Sequence, residues 1–153
     1  MTACAGGYSF TGASVSADTQ TFAVETFVNR ASIVQPILAS DLTYALTNKI
    51  KSSTNLTAVD YDGDLTFKGT ITGYSITPTA ISSNDKAAQN RLTITIRVEF
   101  INKKNPKQNF QQAFSRYKDY DSQLSLSSVE ESLINQINEE LVDDIFNKAL
   151  VNW

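Results

Sequence analysis

The chain has 153 residues, 41% of them apolar, with 13 basic and 16 acidic side chains and a net charge of −3. That is enough for one domain with a real core; no apolar run is long enough to span a bilayer, and no positive field recommends nucleic acid as a partner. Histidine is absent and there is one cysteine, which removes the Ser-His-Asp and Cys-His nucleophile systems, most zinc and non-haem iron sites, and any internal disulfide.

The cysteine, Cys4, follows Thr2-Ala3. The last three positions of a bacterial lipoprotein signal, in which the cysteine becomes the first mature residue and carries lipid, are similar. Met1 then stands where a signal peptide has been removed; the alternative is an ordinary N-terminal cysteine. Small and polar residues follow (Gly6, Gly7, Ser9, Thr11, Gly12, Ser14, Ser16), a composition that makes a tether and cannot bury a core. Residues 1–18 are therefore expected to be a lipid-carrying tether and residues 19–153 a single domain.

Thr19–Asn29 reads as a first strand, with Phe22 and Val24 on one face and Glu25 and Phe27 on the other. After a connector, Pro36 opens a helix running to Ser53, whose stripe is Leu38, Leu42, Ala45, Leu46 and Ile50. Asn55–Asp60 is a short strand, and Asp62-Gly63 predicts a two-residue hairpin with positive φ at both positions. Asp64–Thr77 carries Leu65, Phe67 and Ile71 in one phase, then Tyr74 and Ile76 in the other. The change of phase at Gly69 and Gly73 marks a bulge or bend.

Pro78–Gln89 is a polar loop. The strand Asn90–Asn102 organises the rest: Leu92, Ile94, Ile96, Val98 and Phe100 alternate with Thr93, Thr95, Arg97 and Glu99, which puts all five apolar side chains on one face. A turn over Asn102–Lys107 leads to a strand at Gln108–Tyr117, then a polar connector over Tyr117–Ser125. The final helix opens with a capping box, Ser127 with Glu130 or Ser128 with Glu131. It carries a ridge of Val129, Leu133, Ile137, Leu141, Ile145 and Ala149, opposite a face of Glu and Asp. The order predicts an α+β two-layer sandwich: two α-helices packed on one face of a mixed four- to five-stranded β-sheet, with a parallel crossover first and an antiparallel meander after it.

Three constellations bear on chemistry. Asp60-x-Asp62-Gly63-Asp64 has the wrong glycine position and no terminal glutamate for a calcium loop, so it reads as an acidic turn. Asp119 and Asp121 form a carboxylate pair of the kind glycoside hydrolases use, but in a polar connector with nothing to desolvate them, where capping, turn formation or a partner contact fits better. Lys68, Thr70, Thr72, Arg91, Thr93, Thr95, Arg97, Glu99 and Arg116 fall on polar strand faces. Such a face is either solvated sheet surface or a surface for anionic sugar and phosphate groups, with Tyr74, Tyr117 and Tyr120 available for stacking or for anchoring the fold.

Several phrases recur in one order: Cys4 with Gly7-Tyr8-Ser9-Phe10-Thr11-Gly12, Gly69-Thr-Ile-Thr-Gly73-Tyr74, Asn90-Arg91-Leu92-Thr93-Ile94, Phe114-Ser-Arg116-Tyr117, and Phe146 to Trp153. In this order they resemble the LptE family of lipopolysaccharide-assembly lipoproteins, in its Bacteroidetes form. The resemblance spans essentially the whole chain. It implies an outer-membrane lipoprotein on the periplasmic side, anchored through lipid on Cys4, and a partner, the large LptD β-barrel, inside which it sits as a plug while lipopolysaccharide is delivered to the outer leaflet. It implies no enzyme chemistry, cofactor or metal, and only Cys4 carries over as a functional position. Lys68, Arg91, Arg97 and Arg116 are the candidates for binding lipopolysaccharide, and the Pro78–Gln89 loop is a candidate barrel contact. The alternatives are a periplasmic glycan- or lipid-binding lipoprotein module and, after it, a carboxylate hydrolase.

Overall fold

A mixed sheet carries two helices on one face: β1 (Thr21–Val24), β2 (Val28–Asn29), α1 (Leu38–Ser53), β3 (Thr57–Val59), β4 (Leu65–Pro78), β5 (Gln89–Asn102), β6 (Phe110–Asp121) and α2 (Leu126–Leu150). The computed structural model describes residues 15–33, 35–79 and 88–151. Cys4 with most of its tether, and most of the Pro78–Gln89 loop, lie outside the described residues. The strands lie in the order β3-β1-β4-β5-β6, with β2 also paired to β4. β4, β5 and β6 form the antiparallel meander, while β1 is parallel to both β3 and β4. This is the α+β sandwich that the order of elements predicts, with six strands because the first is interrupted.

The interruption is a bulge. Val24 to Val28 spans five residues, whereas their partners Phe67 to Thr70 span four, so one residue on the first strand has no counterpart. There the amide of Phe27 leaves the ladder and donates to Thr43 Oγ1 of α1 at 2.9 Å. The Phe27 ring packs so closely on Gly69 that any Cβ at position 69 would overlap it. That contact explains the glycine. The change of phase in β4 occurs three residues later, at Thr72, where the register with β5 shifts between Ile71 and Gly73.

Asp62-Gly63 does not close a hairpin. β3 and β4 run in the same direction with β1 between them, and the loop joining them passes across β1. Asp62 takes a left-handed φ of 57°. Gly63 lies against the backbone of β1, where a Cβ would stand 2.8 Å from the Ala23 nitrogen and the Phe22 carbonyl carbon. Asp64 then fastens the crossing: its Oδ2 accepts the amides of Gln20 at 2.8 Å and Thr21 at 3.2 Å, and its own amide donates to Thr21 Oγ1 at 2.9 Å.

Between sheet and helices, Leu92, Ile94, Ile96, Val98 and Phe100 of β5 are fully buried, as are Leu38, Leu42, Leu46 and Ile50 of α1 and Ile137, Leu141 and Ile145 of α2. Each such side chain contributes about 1.5–3 kcal/mol relative to exposure. Phe100 joins two neighbouring strands, with ring centroids 4.9 Å from Phe67 and 5.4 Å from Phe110. Two expectations fail nearby. β6 continues through the stretch expected to be a connector, because Tyr120 turns inward opposite Asn90 and is buried. The capping box of α2 does not form: the helix begins at Leu126 behind Ser125, and Glu130 accepts the Tyr74 hydroxyl instead.

Candidate functional site

Because alternate side chains of a strand point to opposite faces, the register of β4, β5 and β6 fixes which polar groups share the uncovered side of the sheet. Lys68 stands opposite Glu99, Thr70 opposite Arg97, Ser75 opposite Thr93 and Thr77 opposite Arg91. On the other side of β5, Glu99 meets Gln111, Arg97 meets Ala113, Thr95 meets Ser115, Thr93 meets Tyr117 and Arg91 meets Asp119. The result is rows of hydroxyls with cations at two heights. Thr95 Oγ1 and Ser115 Oγ lie 3.1 Å apart, and Thr72 Oγ1 donates to the Thr95 carbonyl at 3.3 Å.

At one end of this face, Lys68, Thr70 and Arg97 line a shallow depression of about 350 Å³, closed by Glu25 and Val28 of the bulged first strand and by Glu99 and Gln111. Arg97 donates to Gln111 Oε1 at 3.4 Å. Two cations and two carboxylates line it, so its field is mixed, and it offers donors for phosphate or sugar oxygens together with carboxylates that exclude a purely anionic surface.

At the other end Arg91 is already engaged. Its Nε and one terminal nitrogen donate to the two oxygens of Asp119 at 2.8 and 3.1 Å, and its guanidinium carbon lies 3.8 Å from the centroid of the Tyr117 ring. The fork holds the Asp119 carboxyl below the usual range and raises Arg91 above its own. A general acid needs the opposite shift, and Asp121 Oδ1 accepts the Gln123 amide at 2.9 Å as an ordinary turn contact. The pair Asp119 and Asp121 therefore has no arrangement suited to acid catalysis.

Arg116 does not share the open face. It stands opposite Ile94, on the helix side of the sheet, and forks Asp144 of α2 with two bonds of 2.8 Å. Asp144 raises the Arg116 guanidinium further. Lys118 follows the same pattern, with its Nζ 2.5 Å from Glu140 Oε2. These pairs explain why so polar a strand can pack beside α2. Tyr74 and Tyr120 are buried anchors, and Tyr117 alone of the three candidates for stacking is exposed. In the acidic turn, Asp64 is spent on the amides of Gln20 and Thr21, and Asp62 lies 2.5 Å from Lys103. The depression at Lys68 was not legible in the sequence, since its wall is the interrupted first strand.

The family model LptE, described as lipopolysaccharide-assembly, matches residues 19–149. No curated protein matches. Among solved structures, the chain is similar to rare lipoprotein B from Shewanella oneidensis at 12% identity, with a TM-score of 0.55 over 80% of this chain and 89% of that one. A minor lipoprotein from Acinetobacter baumannii is similar at 12% identity and a TM-score of 0.52, over 82% and 90%. A hypothetical protein from Chlamydia trachomatis is similar at 8% identity and a TM-score of 0.57, over 87% and 99%. At these identities the likeness is one of fold.

Proposed function

The chain belongs to the LptE family of lipopolysaccharide-assembly proteins, and from that premise we propose that it is a non-catalytic outer-membrane lipoprotein, anchored through Cys4, that plugs an LptD-type β-barrel and presents the open face of β4–β6 to lipopolysaccharide. The observation that carries this reading is the uncovered, hydroxyl-rich strand face, with Lys68 and Arg97 beside one depression. A barrel lumen is polar, so a plug with such a face meets it without stranding apolar surface. The same groups are donors for the phosphates and hydroxyls of a lipopolysaccharide headgroup. Arg91 supports the edge of this face and Arg116 belongs to the helix side. No described helix is long and apolar enough to cross a membrane; in this reading the attachment is lipid at Cys4, where two or more acyl chains hold stably.

The test is affinity capture of the full-length lipoprotein from detergent-solubilised outer membranes, with mass spectrometry of what accompanies it. A large β-barrel in stoichiometric amount is the expected result. A protein that comes down alone, or with only glycan or lipid, would replace the plug with a periplasmic binding module.

A further inference from the structure

The two edges of the sheet are unequal. β3 is three residues long, whereas β6 closes the other side with twelve and has no neighbour beyond it among the described residues. Edge strands are usually blunted by proline, by a bulge or by free charges, because their unpaired amides and carbonyls invite another strand. β6 has none of these. It contains neither proline nor glycine, and its register with β5 runs without a shift from Phe110 to Asp121. Its charges are engaged: Arg116 and Lys118 by Asp144 and Glu140 on the helix side, Asp119 by Arg91, and Asp121 by the Gln123 amide.

The ladder fixes which backbone groups are free. Ser122 donates its amide to the Ala88 carbonyl, and Asn102 of β5 turns its own amide toward Asn109, so the even-numbered residues of β6 direct their backbone groups at β5. Gln111, Ala113, Ser115, Tyr117 and Asp119 therefore direct an N–H and a C=O outward. All five are exposed, and among the described residues no backbone or side-chain group meets them.

A second β6 satisfies them. With a two-fold axis through Ser115, perpendicular to the sheet, the two strands run antiparallel and every side chain keeps its face. Ser115 meets Ser115 of the second copy, Ala113 meets Tyr117, and Gln111 meets Asp119, each pair closing two backbone hydrogen bonds. The Tyr117 ring, 49% exposed, then lies beside a small residue, and the Gln111 amide gives the Asp119 carboxylate a donor. On the helix side Phe114 meets Arg116, Gln112 meets Lys118 and Phe110 meets Tyr120. No like charges face each other. Neighbouring registers are worse: an axis at Arg116 sets two guanidiniums opposite, one at Tyr117 sets Arg116 against Lys118, and one at Phe114 leaves Asp119 beyond the end of the partner strand.

We propose that the free edge of β6 is a self-association surface, on which a second copy of this chain adds its own β6 antiparallel about Ser115 and continues the sheet. The inference rests on the backbone of β6 and is independent of the lipopolysaccharide reading.

The experiment is sedimentation velocity of the whole chain over about 5–500 µM, in buffer without lipopolysaccharide, with hydrogen exchange at both ends of that range. A monomer–dimer equilibrium is expected, with the amides of Ala113, Ser115 and Tyr117 exchanging fast when dilute and slowly when concentrated. Ser115→Lys and Ser115→Glu, at an exposed position, should each weaken the dimer about five-fold or more by setting like charges on the axis, and an equimolar mixture of the two should pair again. In a Cys4→Ser background, spin labels on Ser115→Cys should lie closer together in the dimer than labels on Gln111→Cys. A dimer untouched by either Ser115 substitution, or labels nearer at Gln111 than at Ser115, would overturn the proposal. A chain that stays monomeric would overturn it too and leave the edge to the strand of a different protein. Amides of Ala113, Ser115 and Tyr117 already protected in the dilute monomer would overturn it in favour of the chain's own N-terminal segment.

Discussion

The guanidinium of Arg91 is stacked on the ring of Tyr117, 3.8 Å from its centroid, while the same group forks the carboxylate of Asp119. One residue of β5 thereby fixes two of β6, on the face opposite α1 and α2. An arginine held on both an aromatic face and a carboxylate has little left to give a ligand, whereas Lys68 and Arg97, at the far end of the face, border a depression.

Charge reversal should therefore separate the two ends. Lys68→Glu with Arg97→Glu should weaken binding to purified lipopolysaccharide by about ten-fold or more, the scale of one or two lost charge-assisted contacts. Arg116→Glu, on the helix side, should leave that affinity unchanged while lowering stability. Equal losses at both places would point to bulk charge rather than a site, and no loss at Lys68 and Arg97 would return the face to solvent.

Gly69→Ala should destabilise the chain by about 1–3 kcal/mol, because the new methyl group must displace the buried Phe27 ring. Phe27→Leu in the same chain should recover part of that cost, giving a non-additive pair in urea unfolding. Strict additivity would mean that the two residues do not compete for one space.

Acid should weaken the fold through Asp64 and Asp119. Both carboxyls are held below their ordinary value of 3.8, Asp64 first by the Gln20 amide and Asp119 first by the Arg91 fork. A depressed carboxylate stabilises the native state above its unfolded pKa, and that contribution disappears as pH falls through the lower folded value. Urea midpoints should hold down to about pH 4 and drop below it. Asp64→Asn should be less stable at neutral pH and show a flatter acid limb; an acid limb parallel to that of the parent would remove Asp64 from the account.

Asn102→Ala should cost about 1–3 kcal/mol. Asn102 is 3% exposed, and its Oδ1 accepts the Lys104 and Asn105 amides at 2.9 and 3.0 Å while its Nδ2 donates to Gln108 at 2.6 Å. Hydrogen exchange should accelerate first in residues 103–109 and at the adjoining ends of β5 and β6. Exchange unchanged in that turn would show that the turn holds its shape without Asn102.

Cys4→Ala in a full-length precursor should leave soluble periplasmic protein, because a lipid anchor is the only membrane attachment proposed. Retention in membranes that lack the barrel partner would remove the anchor from the proposal.

The sequence pattern was most legible where one physical rule acts alone. The alternation Leu92 to Phe100 needed only a sheet covered on one side, and both helix stripes needed only a core, so architecture and core follow from periodicity. It was least legible where distant segments meet. Asp62-Gly63 has the composition of a hairpin turn, yet the glycine answers to the backbone of β1, dozens of residues earlier. Lys118 to Asp121 looked like a connector because its polarity is satisfied by groups far along the chain, Lys118 by Glu140 and Asp119 by Arg91. Of the cations assigned to one face, Arg116 departs for the same reason, since Asp144 sits on another element. No local pattern encodes such partners.

The placement of β1 also orders events in time. Its residues pair with Thr57–Val59 on one side and Leu65–Phe67 on the other, so a chain emerging from its N-terminus makes the first strand long before either neighbour exists. Phe22, fully buried in the finished sheet, has nowhere to go until residue 67 has followed it. Assembly therefore closes on its oldest segment instead of growing from it, and in the interval that strand has unpaired edges on both sides.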